Sequence, residues 1–267
     1  RFLNKIYSLF ESLNEDNKKI NTTREKFLIS KMHYTIEKVT EFIEEFKLSM
    51  ALGAIMEFGN EISRYKDEVS SKILKESVKN LVLMIAPFCP HISEEMWSKL
   101  GGKSYVSLEG WPEFDSTKID KKAEASEGMI HKTISDITKV LELIKIKNLK
   151  KIKLIVSGKW KYKFFKVLKD ELDKTRDFKE IISVLMAEKE LKQNGKDIAK
   201  MLPGLLKDVR KVPETVLSQK VEVENLESVL EDLKHEFSCE VVIETAEESK
   251  EKKAGIAMPG KVVIVVE

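Results

Sequence analysis

Four residues within one short stretch carry side chains that bind metals or transfer protons. Residues 81–97 read LVLMIAPFCPHISEEMW and contain Cys89, His91, Glu94 and Glu95. The order of the histidine and the glutamates departs from the zinc signature H-x-x-E-H at its last position. The two-residue step from Cys89 to His91 fits no common zinc-finger spacing. We therefore expect no metal at this stretch.

The same stretch has a structural explanation as a helix break followed by a new helix. We predict that Pro87 ends one helix near Ile85, because proline disfavours the α conformation of the residue before it. Pro90 suits the first position of the next helix, where its missing N–H costs nothing. The two glutamates would lie near the positive end of that helix dipole, and the cysteine would be a small buried side chain.

The remaining histidines and the common catalytic motifs give no active site. His33, His131 and His235 are scattered among lysines and glutamates in helical patterns, which is typical of surface or packing residues. The sequence contains no G-x-x-x-x-G-K-[ST], G-x-G-x-x-G, H-E-x-x-H or G-x-S-x-G. We therefore expect no catalytic residues and no metal ligands in this chain.

A basic run at 145–163, KIKNLKKIKLIVSGKWKYK, is the strongest sign of a binding function. It carries eight lysines and no acidic residue. Lysines neutralise phosphates, and the aromatic side chains at or beside its end can stack on bases; these are Trp160, Tyr162, Phe164 and Phe165. The alternative is a solvated helix end and a lysine-protected edge strand. We favour RNA, and because arginine is absent from the run we expect phosphate contacts rather than bidentate base readout.

Composition limits the alternatives. The chain has 267 residues with a formal net charge of +2, so a basic footprint must be local rather than global. Two cysteines, at 89 and 239, suit a reducing compartment and predict a cytoplasmic protein. No apolar run approaches the roughly 20 residues that a membrane span needs. Because the sequence starts with Arg1 inside an amphipathic helix, we expect a piece of a longer protein.

The spacing of apolar residues predicts two regions in the chain, and their helices and strands must position any site. Residues 1–149 read as an antiparallel helical bundle, with helices at about 2–13, from a cap at 21–23 through Phe46, 49–66, 67–85, 90–100 and 120–147. The inner stripe of the last of these includes Ile144, and the connector KSYVSLEGWPEFD before it has room for one short strand.

Residues 150–267 read as a small α+β domain with a roughly three-stranded sheet. Strands are predicted at 151–156, 239–244 and 261–267, with helices at about 161–174, 177–193, 195–209 and 225–236 between the first two. The polar segment 247–260 is predicted to be a loop. The fold class is therefore mainly α, a helical bundle followed by a small α+β domain.

The opening stretch also carries a family resemblance. LVLMIAPFCPHISEEMW, followed by Trp111-Pro112, closely resembles a segment of the class I aminoacyl-tRNA synthetases for leucine, isoleucine, valine and methionine. There it lies in the helical anticodon-binding domain, and SMALGAIMEFGNEISRY (49–65) is similar to the helix before it. The family's catalytic signatures, H-I-G-H and K-M-S-K-S, are absent here. The resemblance implies a C-terminal fragment without the aminoacylation and editing sites.

The end of the chain narrows the resemblance to one group of these enzymes. GIAMPGKVVIVVE (255–267) is similar to the end of archaeal and eukaryotic-type leucyl-tRNA synthetases, where a small C-terminal domain contacts the long variable arm of leucine tRNA. The resemblance implies that Val266 and Glu267 meet that arm. We expect lysines to hold phosphates, namely Lys261, Lys147, Lys150, Lys151, Lys153, Lys159, Lys161 and Lys163.

These observations lead to one functional expectation with two rivals. The expected function is docking of leucine tRNA for ATP-dependent leucylation by a catalytic domain outside this chain. The fragment itself would need no cofactor, and the full enzyme would use ATP and Mg²⁺. Expected partners are leucine tRNA isoacceptors and the protein's own catalytic domain, with no membrane and a monomeric state. The rivals are the C-terminal region of an isoleucyl- or valyl-tRNA synthetase, and a non-catalytic helical scaffold for a protein partner.

Overall fold

The computed structural model describes residues 2–13, 20–144 and 149–267. Contacts divide the chain into two compact units, Arg1–Glu124 and Ala125–Glu267. The division falls in the first turn of a long helix, rather than at the predicted boundary of 149/150. The physical reason is the packing of that helix: Met129 and Ile137 belong to the same buried core as Ile152 and Leu154 of the sheet. Each unit is described by itself.

The first unit consists of helices around one apolar core. Asn21 caps the second helix, because its Oδ1 accepts hydrogen bonds from the backbone N–H groups of Thr23 and Arg24. The largest side chains of the core, led by Phe58, are fully buried. The helices are α1 (Phe2–Ser12), α2 (Thr22–Glu44), α3 (Leu48–Tyr65), α4 (Ser71–Ile85) and α5 (Pro90–Lys99).

The break at the opening stretch is present, but its predicted cause is wrong. Helix α4 ends at Ile85 and α5 begins with Pro90 at its first position, as expected. Ala86, however, keeps the α conformation although Pro87 follows it, and the chain turns only at Cys89, with φ −138° and ψ 66°. A residue-before-proline preference is thus overridden here by the hydrogen bond from Ala86 N–H to the carbonyl oxygen of Val82.

Three further predictions for this unit are wrong. Phe46 is 88% exposed with φ +57°, because α2 ends at Glu44 and the chain reverses there into α3. Helix α4 begins at Ser71 rather than near 67. The connector forms one short 3-10 turn at Val106–Leu108 and no strand, and a second 3-10 turn follows it at Ser116–Lys118.

The second unit surrounds a three-stranded sheet. The strands are β1 (Lys151–Val156), β2 (Glu240–Thr245) and β3 (Val263–Val266), in the spatial order β2-β1-β3. Strand β1 is parallel to β2, with Lys151 opposite Glu240, and antiparallel to β3, with Ile152 opposite Val266. The mainly α fold with a small three-stranded sheet is therefore confirmed.

Helices flank this sheet and connect its strands. They are α6 (Lys121–Ile144), α7 (Lys159–Leu172), α8 (Phe178–Ala187), α9 (Gly195–Lys207), α10 (Gln219–Ser228) and α11 (Leu230–Phe237). Sequence periodicity predicted one helix at 225–236, whereas the chain forms two, the first capped at 219 by the Ser218 hydroxyl. Ile144, placed on the inner stripe of α6 by its spacing, is instead 51% exposed. The predicted continuation of α6 to Lys147 lies outside the described residues.

Candidate nucleic-acid interface

The last two residues, both predicted to contact RNA, are fixed by the sheet. Strand β3 pairs with β1 as far as Val266. Beyond that pair, the carbonyl oxygen of Glu267 accepts hydrogen bonds from the N–H groups of Lys150 and Lys151, and Glu267 N–H donates to the Lys151 carbonyl oxygen. The Glu267 side chain pairs with the Lys153 ammonium, which lowers the pKa of that carboxyl. The end of the chain is therefore held in one place on an edge strand.

The predicted lysines separate into engaged and unengaged groups. Lys151 pairs with Glu240 at 3.3 Å, Lys153 with both Glu251 and Glu267, and Lys163 with Glu188 at 3.1 Å; these side chains are already neutralised. Three predicted lysines are exposed and form no ion pair with any residue that the structure describes, namely Lys150, Lys159 and Lys261. Lys147 lies outside the described residues.

Lys161 is not a surface cation, so its predicted phosphate contact is wrong. The residue is 3% exposed, and its ammonium donates hydrogen bonds of 2.6 Å to the carbonyl oxygens of Gly255 and Ala257. Burial lowers the pKa of this ammonium. Its role is to tie the segment 247–260 onto α7, which explains why that predicted loop follows a defined path into β3.

The predicted base-stacking surface is also wrong for three of its four aromatics. Tyr162, Phe164 and Phe165 are buried, and Trp160 is half-buried against the core around α7. Their spacing is that of the inner face of a helix, since α7 begins at Lys159. An aromatic that packs in a protein core cannot stack on a base.

A buried polar network beneath the last loop escaped the sequence prediction. Glu222 on α10 accepts hydrogen bonds of 2.7 Å from the Tyr162 hydroxyl and from Gly260 N–H. Burial raises the pKa of this carboxyl to about 7, although both hydrogen bonds act in the opposite direction. Nearby, Gln219 donates to the Ser157 carbonyl oxygen. Nothing in the sequence pattern marks these residues, because a glutamate in a charged helix normally faces solvent.

Beside β3 lies a groove of about 520 Å³. Its walls combine apolar side chains of α6 and β3 with the charged segment 250–253. Val266 contributes to this lining, so the groove adjoins the residues predicted to meet RNA.

The four residues that opened the sequence analysis do not converge on a site. The Glu94 carboxylate accepts hydrogen bonds from the N–H groups of Val106, at 2.8 Å, and Ser107, at 3.3 Å. Glu95 accepts from the Tyr7 hydroxyl at 2.8 Å. The predicted dipole role of these glutamates is wrong, since the first turn of α5 carries no acidic residue. In the part of the chain that the structure describes, no three metal-binding side chains cluster.

His33, predicted to be a surface or packing residue, is buried and anchors the connector. Its Nδ1 accepts a hydrogen bond from Asp115 N–H at 3.1 Å, and burial lowers its pKa. None of the described helices is both long enough and apolar enough to cross a membrane.

Comparison with known proteins supplies the family. Residues 25–156 match the family described as the anticodon-binding domain of tRNA ligase. The leucine–tRNA ligase of Pyrococcus abyssi is 31% identical over 282 aligned positions, which include 100% of this chain and 28% of that protein. The leucine–tRNA ligase of Methanocaldococcus jannaschii is 29% identical over 91% of this chain and 25% of its own length.

The chain belongs to the leucyl-tRNA synthetase family. Its similarity to the family extends through both compact units, because the Pyrococcus abyssi alignment covers all of the chain. The chain spans about a quarter of the length of these relatives.

One solved structure of a leucyl-tRNA synthetase also matches. It is the ternary complex of Agrobacterium radiobacter K84 agnB2 LeuRS with tRNA and LeuAMS, at a TM-score of 0.40 and 22% identity, covering 58% of this chain and 18% of that one. A likeness this distant adds nothing to the family assignment.

Proposed function

We propose that this chain is the tRNA-binding region of a leucine–tRNA ligase. The observation that carries the proposal is the 31% identity to an archaeal leucine–tRNA ligase across 100% of the chain. This similarity includes the second unit, where the enzymes for isoleucine and valine are expected to differ. The whole protein would join leucine to its tRNA with ATP and Mg²⁺ at a catalytic site outside these residues.

The two parts of the chain would share the task of docking. The helical part, matched by the anticodon-binding family, would brace the body of the tRNA. The second unit would reach the long variable arm through Val266 and Glu267. Lys150, Lys159 and Lys261 support this proposal, because they are exposed lysines that form no ion pair with a described residue.

A carboxylate at an RNA interface is consistent with the geometry of the last residue. Lys153 offsets the charge of the Glu267 side chain, which reduces its repulsion of phosphates. The remaining acceptor positions of that carboxylate can take hydrogen bonds from base amino groups, as acidic side chains do from cytosine N4. Val266 offers an apolar contact beside it.

Binding of this chain to three tRNAs tests the proposal. Leucine, isoleucine and valine tRNA transcripts are titrated with the chain in a filter-binding assay at 50 and 200 mM salt. We expect the leucine tRNA to bind most tightly, with an affinity that falls as salt rises, because lysine–phosphate contacts release counterions. Equal binding of all three tRNAs would contradict discrimination by the variable arm. Absent or salt-insensitive binding would contradict the tRNA-binding role and favour a scaffold for a protein partner.

Three further properties belong to the same proposal. The protein would act in the cytoplasm, where its substrate tRNA is used in translation. It would work as a monomer, and its closest partner would be its own catalytic domain in the complete chain.

A further inference from the structure

The segment 247–253 looks electrically neutral in sequence. It reads EESKEKK, three glutamates and three lysines in close alternation. A run of this kind is usually a solvated loop with no preference for a charged partner. In the structure, the glutamates and the lysines of this segment have different surroundings.

Each of the three glutamates is tied to the protein. The carboxylate of Glu247 accepts hydrogen bonds from Lys159 N–H, at 2.7 Å, and from the Gln219 side chain, at 2.9 Å. Glu248 accepts from Thr245 N–H at 3.2 Å. Glu251 pairs with the Lys153 ammonium at 3.2 Å. These contacts hold the three carboxylates against the fold, and the Lys153 ammonium also offsets part of the charge of Glu251.

The three lysines of the segment remain uncompensated. Lys250, Lys252 and Lys253 are exposed, and none forms an ion pair with a residue in the described ranges. All three line the groove of about 520 Å³ beside β3. The only acidic side chain in the same lining is Glu251, which shares the Lys153 ammonium with Glu267, so three lysines face one glutamate. The lining of the groove thus carries a net positive charge.

The other residues of this lining are apolar. They belong to α6 and β3 and are Val140, Ile144, Ile264, Val265 and Val266. Ile144 is 51% exposed, so this lining includes a large apolar side chain that is open to solvent. A lining that combines cationic and apolar side chains suits a ligand that itself has anionic and flat apolar parts. A sugar–phosphate strand with its bases has this character.

We infer that this groove binds the backbone of the tRNA, with Lys250, Lys252 and Lys253 contacting successive phosphates. The inference rests on the proposed function and extends it to residues outside the basic run at 145–163. Lysine suits this role as a mobile point charge that contacts phosphate without reading sequence. The lysines would set affinity, while Val266 at the same groove would meet the bases.

A triple variant, K250Q/K252Q/K253Q, tests the inference against a matched control. The control is K192Q/K196Q/K200Q, which removes the same charge from three other exposed lysines of the second unit that form no ion pair with described residues. Binding of leucine tRNA is measured by filter binding between 50 and 400 mM salt. Each lost phosphate contact reduces the slope of log K against log salt by about 0.7 for a single strand.

We expect the slope to become shallower by about 2 in the groove variant and to stay unchanged in the control. If the plots of log K against log salt for the wild type and the groove variant meet at 1 M salt, this change in slope corresponds to about a 100-fold loss of affinity at 0.1 M salt. The thermal midpoints of both variants should equal that of the wild type, because the substituted side chains are exposed and unpaired.

Four outcomes would overturn the inference. An unchanged slope in the groove variant, when the wild type binds tRNA, would exclude tRNA binding by the groove without contradicting the proposed function. Equal losses in both variants would indicate a general charge effect. Displacement of the tRNA by poly-glutamate at equal charge concentration would make the groove an acidic-peptide site. If the wild type itself binds no tRNA, the proposed function fails and the inference fails with it.

Discussion

Substitution of the buried glutamate by glutamine, E222Q, gives the most informative test of the polar network. The Glu222 carboxyl is 1% exposed and holds both the Tyr162 hydroxyl and Gly260 N–H, at 2.7 Å each. Gly260 has φ +73° in the turn that leads towards β3, so the carboxyl fixes the start of the last strand's path. Glutamine has nearly the same shape, and it can accept from Gly260 and donate to the tyrosine oxygen.

The size of the expected change in unfolding free energy follows from the raised pKa of Glu222. Burial raises the pKa of Glu222 from 4.5 to about 7. Between these values the folded protein binds more protons than the unfolded chain, so stability decreases as pH rises from about 4.5 to about 7. A difference of about 2.5 pH units, at ~1.36 kcal/mol each, corresponds to about 3 kcal/mol. The full stabilisation is present below pH 4.5 and is lost above pH 7.

Urea unfolding at pH 5 and pH 8 measures this effect. We expect E222Q to be more stable than the wild type at pH 8, by up to about 3 kcal/mol, and closer to it at pH 5. Trp160 is the tryptophan of the second unit, so a variant without Trp97 and Trp111 reports its unfolding separately. The control is E224Q on the same helix, where the side chain is exposed and the change should be within about 0.5 kcal/mol.

Two results would refute this reasoning. One is an E222Q variant that loses stability between pH 5 and pH 8 as steeply as the wild type. The other is an E222Q variant less stable than the wild type at pH 8, which would mean that the ionised carboxylate stabilises the network despite its burial.

Two other predictions address residues expected to contact RNA. In K161M, the carbonyl oxygens of Gly255 and Ala257 lose the ammonium donor, so we expect urea unfolding to show a stability loss of about 1–3 kcal/mol. The control is K159M at an exposed position, where the loss should be less than about 0.5 kcal/mol. A K161M variant as stable as the wild type would contradict the anchoring role. Deletion of Val266 and Glu267 from the complete enzyme should reduce leucylation while leaving leucine-dependent ATP–pyrophosphate exchange unchanged, and an equal fall in both activities would exclude a tRNA-specific role for the end of the chain.

Local signals predicted many element boundaries correctly. Of the three candidate caps at 21–23, Asn21 caps α2, and Pro90 begins α5 because a residue without N–H fits the first turn. The β-branched run at 151–156 forms β1, and the run at 261–267 forms β3 over its residues Val263–Val266. These features depend on backbone preferences within a few residues, which the sequence carries directly.

Other predictions failed where distant residues decided the outcome. The grouping of α6 with the sheet depends on packing partners far along the chain, since Met129 and Ile137 share a core with Ile152 and Leu154. Periodicity gives the apolar face of a helix. It does not say which neighbour covers that face, or where a groove leaves it open.

The sequence by itself determined the family, the mainly α character and the presence of a basic region near the end of the bundle. The tertiary structure alone decided which charges are available. It buried Lys161 beneath two carbonyl oxygens and paired Lys153 with Glu251 and Glu267. It also engaged every glutamate of 247–253, which left the lysines of that segment facing a groove. The physical reason is that a charge is offset by neighbours in space, and those neighbours lie up to 114 residues away in sequence.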